Sequence, residues 1–249
     1  MIRQLRGGNL VTSRSPDGRE RRRASLQRVP LFARLAEAQL DALAAAANTR
    51  RVAAREELFH KGDDASQVFV VASGRLKVTS TSAEGNEVVL NLLDAGEVVG
   101  ELPLLLGGQR TATVVALEPS ELVVLERREF LGFLREHPAA ATELLTVLAE
   151  RVVRLSECIE DIAFLGVAGR IAKKLLVLAE NFGEQGADGL HVTLRLSQSE
   201  LAQYVGTTRE TVNKQIRLWS EQGVLQMTSG AITLHQVDEL SRLAGLVVS

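Results

Sequence analysis

The sequence predicts an α+β fold: an N-terminal antiparallel β domain, one long helix and a C-terminal winged helix-turn-helix. Three observations carry this. Short β-rich runs follow one another between Glu57 and Glu126, apolar residues alternate four and three apart from Ala141 to Ile162, and two helix-start signals flank a glycine between Ser197 and Arg217. At 249 residues the chain is long enough for two cores. Its 45% hydrophobic and 24% charged residues are those of an ordinary folded protein, and a net charge of -2 argues against sequence-blind nucleic-acid binding while leaving room for a local basic face. No apolar run is long enough to span a bilayer and no signal-peptide core opens the chain, so a cytoplasmic protein without a membrane partner is expected. The single cysteine, Cys158, excludes an intrachain disulfide framework and any all-cysteine metal site, and no metal is expected.

Residues 1 to about 25 carry Arg3, Arg6, Arg14, Arg19, Arg21, Arg22 and Arg23 among Gly, Ser and Asp. Without apolar periodicity they read as a mobile basic tail, either solvated or an arm for nucleic acid. The β domain is expected over 26–137. A helical pattern from Leu31 through Leu35, Leu40, Leu43 and Ala44 opens it. Strands follow at Val68 to Val71, Leu76 to Thr79, Val88 to Leu93, Thr111 to Ala116 and Leu122 to Leu125, separated by turns at Gly62-Asp63, Ser73-Gly74, Glu84-Gly85-Asn86 and Ala95-Gly96. Such spacing means a barrel or sandwich. Within it, the stretch from Gly100 to Ala112 breaks strand alternation: its glycines let backbone amides approach an anion, Arg110 offers a planar fork of donors, and Glu101 offers an acceptor. A Glu–Arg salt bridge beside an ordinary turn is the competing reading.

A short helix, Arg128 to His137, leads into the long helix, expected over 138–165 with Pro138 in its first turn. Ala141, Leu145, Leu148, Val152, Leu155, Ile159 and Ile162 lie on one narrow seam flanked by charges. This suits pairing with an identical helix, so Leu145, Leu148, Val152, Leu155, Ile159 and Ile162 are the expected dimer contacts; an ordinary core helix is the alternative. Cys158, next to the seam, reads as packing or as a redox partner of its twin. Gly166 to Gly169 read as a hinge, and 166–249 as the final domain. There Ile171, Leu175, Leu176, Leu178 and Ala179 mark another helix, and a Gly-rich loop holds Gly186 and Gly189.

Between Ser197 and Arg217 two capping boxes, Ser197 with Glu200 and Thr207 with Glu210, start two helices around Gly206. Leu201, Ala202 and Val205 pack the first; Val212, Ile216 and Leu218 or Trp219 pack the second. Arg209, Glu210, Asn213, Lys214 and Arg217 then share the exposed face, where an Arg can bind guanine and a Glu can accept from cytosine. Ser197, Ser199, Thr208 and Thr211 complete the expected DNA contacts, Ser199 and Thr211 to phosphates. Val224 to Met227 and Ala231 to Leu234, joined at Thr228-Ser229-Gly230, form the wing. A merely solvated charged helix would need neither the second cap nor the wing.

Gly100-Glu101-Leu102 followed by Arg110-Thr111-Ala112, with Gly62-Asp63 and Ser73-Gly74 upstream, resembles the phosphate-binding cassette of cyclic-nucleotide-binding domains. Together with the seam, the stretch from Ala163 to Arg170 and the reader, the chain from about Leu31 onward resembles the cyclic AMP receptor branch of the CRP/FNR transcription regulators. The resemblance implies a β-roll, with Glu101 on the ribose 2′-hydroxyl, Arg110 and Thr111 on the cyclic phosphate, and backbone from Gly100 and Leu102. It also implies that the base meets the long helix, where the family's Thr-Ser pair is Leu155-Ser156 here. Ser156 keeps a hydroxyl; Leu155 cannot hydrogen-bond, a change that relaxes discrimination. Cyclic AMP is the favoured effector and cyclic GMP the next, with haem or redox sensing, or no ligand, as alternatives. The family reads bases with an Arg-Glu pair and a second Arg; Arg209 and Glu210 match, while Lys214 stands for that Arg without its bidentate fork. The implied partners are palindromic double-stranded DNA, a second copy of the chain and RNA polymerase. No catalytic constellation stands out, so an enzyme is not expected. A regulatory module serving a partner enzyme would need no Arg209-Glu210 face.

Overall fold

The computed structural model describes residues 10–11, 16–33 and 35–246. In chain order its elements are β1 (Leu10–Val11), α1 (Pro16–Gln27), a 3-10 turn (Pro30–Phe32), α2 (Glu37–Ala46), β2 (Asn48–Val52), β3 (Glu57–Phe59), β4 (Gln67–Ser73), β5 (Leu76–Thr81), β6 (Glu87–Leu93), β7 (Val98–Val99), α3 (Leu102–Leu106), β8 (Thr113–Ala116), β9 (Ser120–Glu126), α4 (Arg127–Glu136) and α5 (Pro138–Phe164). There follow α6 (Val167–Phe182), β10 (Gly183–Gln185), β11 (Leu190–Val192), α7 (Gln198–Val205), α8 (Arg209–Glu221), β12 (Leu225–Thr228), β13 (Ala231–Leu234) and α9 (Val237–Leu243). The chain divides into two compact units, with a boundary inside α5 between Glu150 and Arg151 and with Ser82–Val89 grouped with the second unit.

The first unit is the β-roll. One sheet runs β1-β2-β9-β4-β7 and the other β3-β8-β5-β6. The alternation of β4 and β9 shows why they sit at the centre. Phe69, Val71, Leu122 and Val124 meet Leu58, Leu76 and Val114 of the second sheet, while Val68, Val70, Val123 and Leu125 turn the other way onto Leu26, Phe32, Leu40, Phe130 and Leu144 of the helices. A strand buried on both faces reads as a continuous apolar run, which Val68-Phe69-Val70-Val71 is.

Two expectations are corrected here. Pro16–Gln27, expected inside a mobile tail, is a helix: Leu26 enters the core, Arg22 Nε donates to Ala44 O at 2.9 Å, and Arg23 pairs with Asp41 at 2.9 Å. Arginines that look like a solvated run thus cap and pair with α2. Arg3, Arg6 and Arg14 lie outside the described residues. The long helix is also not a body of its own, since Ala140 and Leu144 belong to the first core.

In the second unit β10-β11-β13-β12 form an antiparallel sheet beside α6 to α9. The expected Gly-rich loop is the tip of the β10–β11 hairpin, with Gly186 N donating to Gly189 O at 2.8 Å. The hinge is corrected as well. Gly166 caps the start of α6, but Gly169 is buried inside it, where a Cβ would lie 2.7 Å from Leu243 O. Close helix approach, not bending, requires that glycine.

Candidate functional site

Arg110 is the centre of the first site. Its backbone is tied to the Gly62-Asp63 turn, Arg110 N donating to Asp63 O and Gly62 N to Arg110 O, each at 2.8 Å. Its guanidinium turns inward and is only 5% exposed. Nη1 donates to Gly100 O at 3.0 Å, Nη2 donates to Gln67 O at 2.7 Å, and the group stacks 4.1 Å from the Phe59 ring centre. Gly100, at φ +84°, makes room: a Cβ there would meet Nη1 at 2.4 Å. Burial pulls the Arg110 pKa down to about 10 against the opposing pull of the Asp63 and Glu101 carboxylates. The group stays charged at neutral pH.

The expected fork toward phosphate is therefore partly committed to main-chain carbonyls, a pairing with Gln67 that no local motif signals. Nε is the guanidinium nitrogen left without a hydrogen-bond partner, and it is buried. An unfilled buried donor on a retained charge fits one oxygen of a small anion. Glu101, 1% exposed at the start of α3, brings a carboxylate to the same wall, while Leu102 and Thr111 remain exposed. Among the described residues no cluster of His, Cys, Asp and Glu is arranged to hold a metal ion, and no helix is long and apolar enough to cross a membrane.

Along α5, Leu145, Val152, Leu155, Ile159 and Ile162 are exposed, Ile159 by 69%. Leu148 departs from the expected seam, packing partly on the first core. Val153 and Phe164 are exposed beside the row and were not among the expected contacts, because they fall outside the four-three spacing. Ser156 is exposed and donates to Val152 O at 3.1 Å. Cys158 is half-buried, with Lys174 Nζ donating to its Sγ at 3.5 Å.

The reader is built as its caps dictate. Glu200 N donates to Ser197 Oγ at 3.2 Å and Ser197 N to Glu200 Oε2 at 2.8 Å, starting α7; Gly206, at φ +73°, ends it. The second cap is Thr208 rather than Thr207, and its partner is Thr211, whose N donates to Thr208 Oγ1 at 3.2 Å. Thr207 cannot serve because its own N–H still closes the end of α7 on Ala202 O. Helix α8 buries Val212, Ile216 and Trp219, so Trp219 rather than Leu218 packs, and it exposes Arg209, Glu210, Asn213, Lys214 and Arg217 together. Arg217 Nε pairs with Glu221 at 3.1 Å, and Gln198 Nε2 of α7 donates to Asn213 Oδ1 at 3.2 Å. The wing turns at Ser229 and Gly230, both with positive φ, a hairpin geometry.

Residues 49–137 match the family described as the cyclic nucleotide-binding domain, and 169–243 match the Crp-like helix-turn-helix domain. The chain is 31% identical over 187 residues to the CRP-like cAMP-activated global transcriptional regulator of Mycobacterium tuberculosis, covering 75% of this chain and 84% of that protein. It is also 31% identical over 215 residues to the cyclic AMP receptor protein of Thermus thermophilus, covering 86% and 96%. Among solved structures, the c-di-GMP responsive regulator CLP of Xanthomonas campestris matches with a TM-score of 0.73 at 23% identity, over 80% of this chain and 99% of that one, which shows a shared fold.

Proposed function

The chain belongs to the CRP/FNR family of transcription regulators, and from that premise we propose that it acts as a homodimer whose affinity for a palindromic DNA site is set by a cyclic nucleotide, cyclic AMP foremost. The observation that carries the sensor half is the buried Arg110 with its unfilled Nε, on the same wall as the buried Glu101. A cyclic nucleotide complements that site, offering an anionic oxygen to the guanidinium and a ribose hydroxyl to the carboxylate. The exposed row on α5 supports pairing, because an unpartnered apolar stripe of this length is costly in water. The two readers of such a dimer enter successive major grooves when their recognition helices stand about 34 Å apart. Two relatives are named for cyclic AMP, which favours that effector here.

Leu155 favours a second reading, in which the base is held less selectively and cyclic GMP also acts, since no hydroxyl stands at that position. Calorimetric titration of the purified protein with each nucleotide separates these. DNA-binding titration on a palindromic probe, with and without cyclic AMP, tests the coupling, and linkage requires DNA to tighten nucleotide binding by the same factor. No heat from either nucleotide overturns the sensor, and equal DNA affinity at saturating nucleotide overturns the coupling. Within the same reading the protein works in the cytoplasm and meets RNA polymerase at its promoters.

A further inference from the structure

The exposed face of α8 holds one side chain whose orientation is set from another helix. Asn213 lies one turn beyond Arg209 and one turn before Arg217, at the middle of the row expected to face base edges. A carboxamide there has two faces, an acceptor oxygen and a donor nitrogen, and left to itself it can present either. Here the oxygen is taken. Gln198, the first residue of α7, reaches across the helix-turn-helix and donates its Nε2 to Asn213 Oδ1 at 3.2 Å. Both side chains belong to the same compact unit, and Gln198 is half-buried, so its reach is constrained by packing.

We infer that Gln198 is a positioning residue for base recognition: it fixes the Asn213 carboxamide with Nδ2 toward the DNA, so that this position of each half-site selects a base displaying an acceptor. Guanine O6 and N7, thymine O4 and adenine N7 all satisfy such a donor in the major groove, whereas the cytosine N4 amino group opposes it. The inference rests on the proposed DNA reader and adds a determinant outside the recognition helix. It has a polarity that can be inverted. A glutamate at position 198 cannot donate, but it can accept from Asn213 Nδ2; the carboxamide then turns over and offers Oδ1, which suits the amino groups of cytosine or adenine.

The test is selection from a pool of palindromic duplexes randomised across the half-site, using the full chain with cyclic AMP present and absent. The unaltered protein is compared with Asn213→Ala, Gln198→Ala and Gln198→Glu. The unaltered protein is expected to deplete cytosine at one position, a bias that Asn213→Ala flattens. Gln198→Ala is expected to cut discrimination at that same position on the order of tenfold, and Gln198→Glu to move the preference to cytosine or adenine. Melting curves of the variants check that α7 is intact, its capping box being left in place. Gln198 variants that weaken all sequences evenly, change nothing, or act at a position other than that of Asn213 overturn the inference while sparing the reader. A pool in which the unaltered protein enriches no sequence overturns the reader itself, and the inference with it.

Discussion

Arg110 Nη1 rests 3.0 Å from the Gly100 carbonyl, and a Cβ on Gly100 would come within 2.4 Å of the same nitrogen. The two residues therefore constrain each other: the arginine lies where it does because position 100 has no side chain. Gly100→Ala is expected to cost about 1–2 kcal/mol for a side chain at positive φ and to push the guanidinium out of place. The obstructing atom is the end of a flexible side chain, so the fold should survive while cyclic AMP affinity falls at least about tenfold. Calorimetry and melting on the same preparation separate the two effects. Unchanged affinity would remove Arg110 from the ligand site.

The pH dependence of binding follows from the same burial. Desolvation penalises the charge of Arg110 and holds its pKa down to about 10, below the usual guanidinium range, so the free site is protonated below about 10 and loses its proton above it. Cyclic AMP keeps one negative charge throughout this range. Affinity is expected to be flat from about pH 6 to 9 and to fall above about 10, up to about tenfold per pH unit. An affinity midpoint near pH 7 in the titrations would assign the ligand's partner to a histidine instead.

Ile159 is exposed by 69% along the α5 row, which makes it the cleanest place to cut the proposed dimer. Each copy of Ile159→Glu removes about 2 kcal/mol of burial from the interface and sets two carboxylates against each other, so dimer dissociation should rise by about three orders of magnitude or more. Sedimentation equilibrium reads this directly. Because the side chain is mostly exposed in its own subunit, the melting temperature of the isolated subunit should hold. A falling subunit melting temperature with unchanged assembly would place Ile159 in an intrachain core.

These residues also show how far the sequence could be read. The α5 row was legible because a four-three alternation survives as a pattern in one dimension, and the reader because Ser197 and Glu200 sit close in sequence. What escaped depends on distant partners. The arginines of α1 gain order only through Ala44 and Asp41, and two nitrogens of Arg110 are claimed by Gly100 and Gln67, the latter 43 residues upstream. Strands β2 and β7 were missed for a different reason. Asn48-Thr49-Arg50-Arg51 is polar with only Val52 buried, and Val98–Val99 is too short to show any period. The choice between Thr207 and Thr208 as cap was undecidable locally, since it turns on which N–H the end of α7 has already used.

Gly166 and Gly169 look alike in sequence, and the structure gives them opposite expected responses to alanine. At Gly169 an added Cβ would sit 2.7 Å from the Leu243 carbonyl of α9, backbone that cannot swing aside, so Gly169→Ala should destabilise the second unit by about 1–3 kcal/mol despite a better helix propensity. At Gly166 the backbone is extended, φ -63° and ψ 165°, and a Cβ would have no neighbour within 4 Å. Gly166→Ala should therefore shift stability by no more than about 0.5 kcal/mol while stiffening the junction between α5 and α6. If that junction carries the nucleotide signal to the reader, Gly166→Ala should change the ratio of DNA affinities with and without cyclic AMP and leave the melting temperature in place, whereas Gly169→Ala should lower the melting temperature. Equal melting losses in both variants would show that position 166 is packed as tightly as 169 and is no pivot.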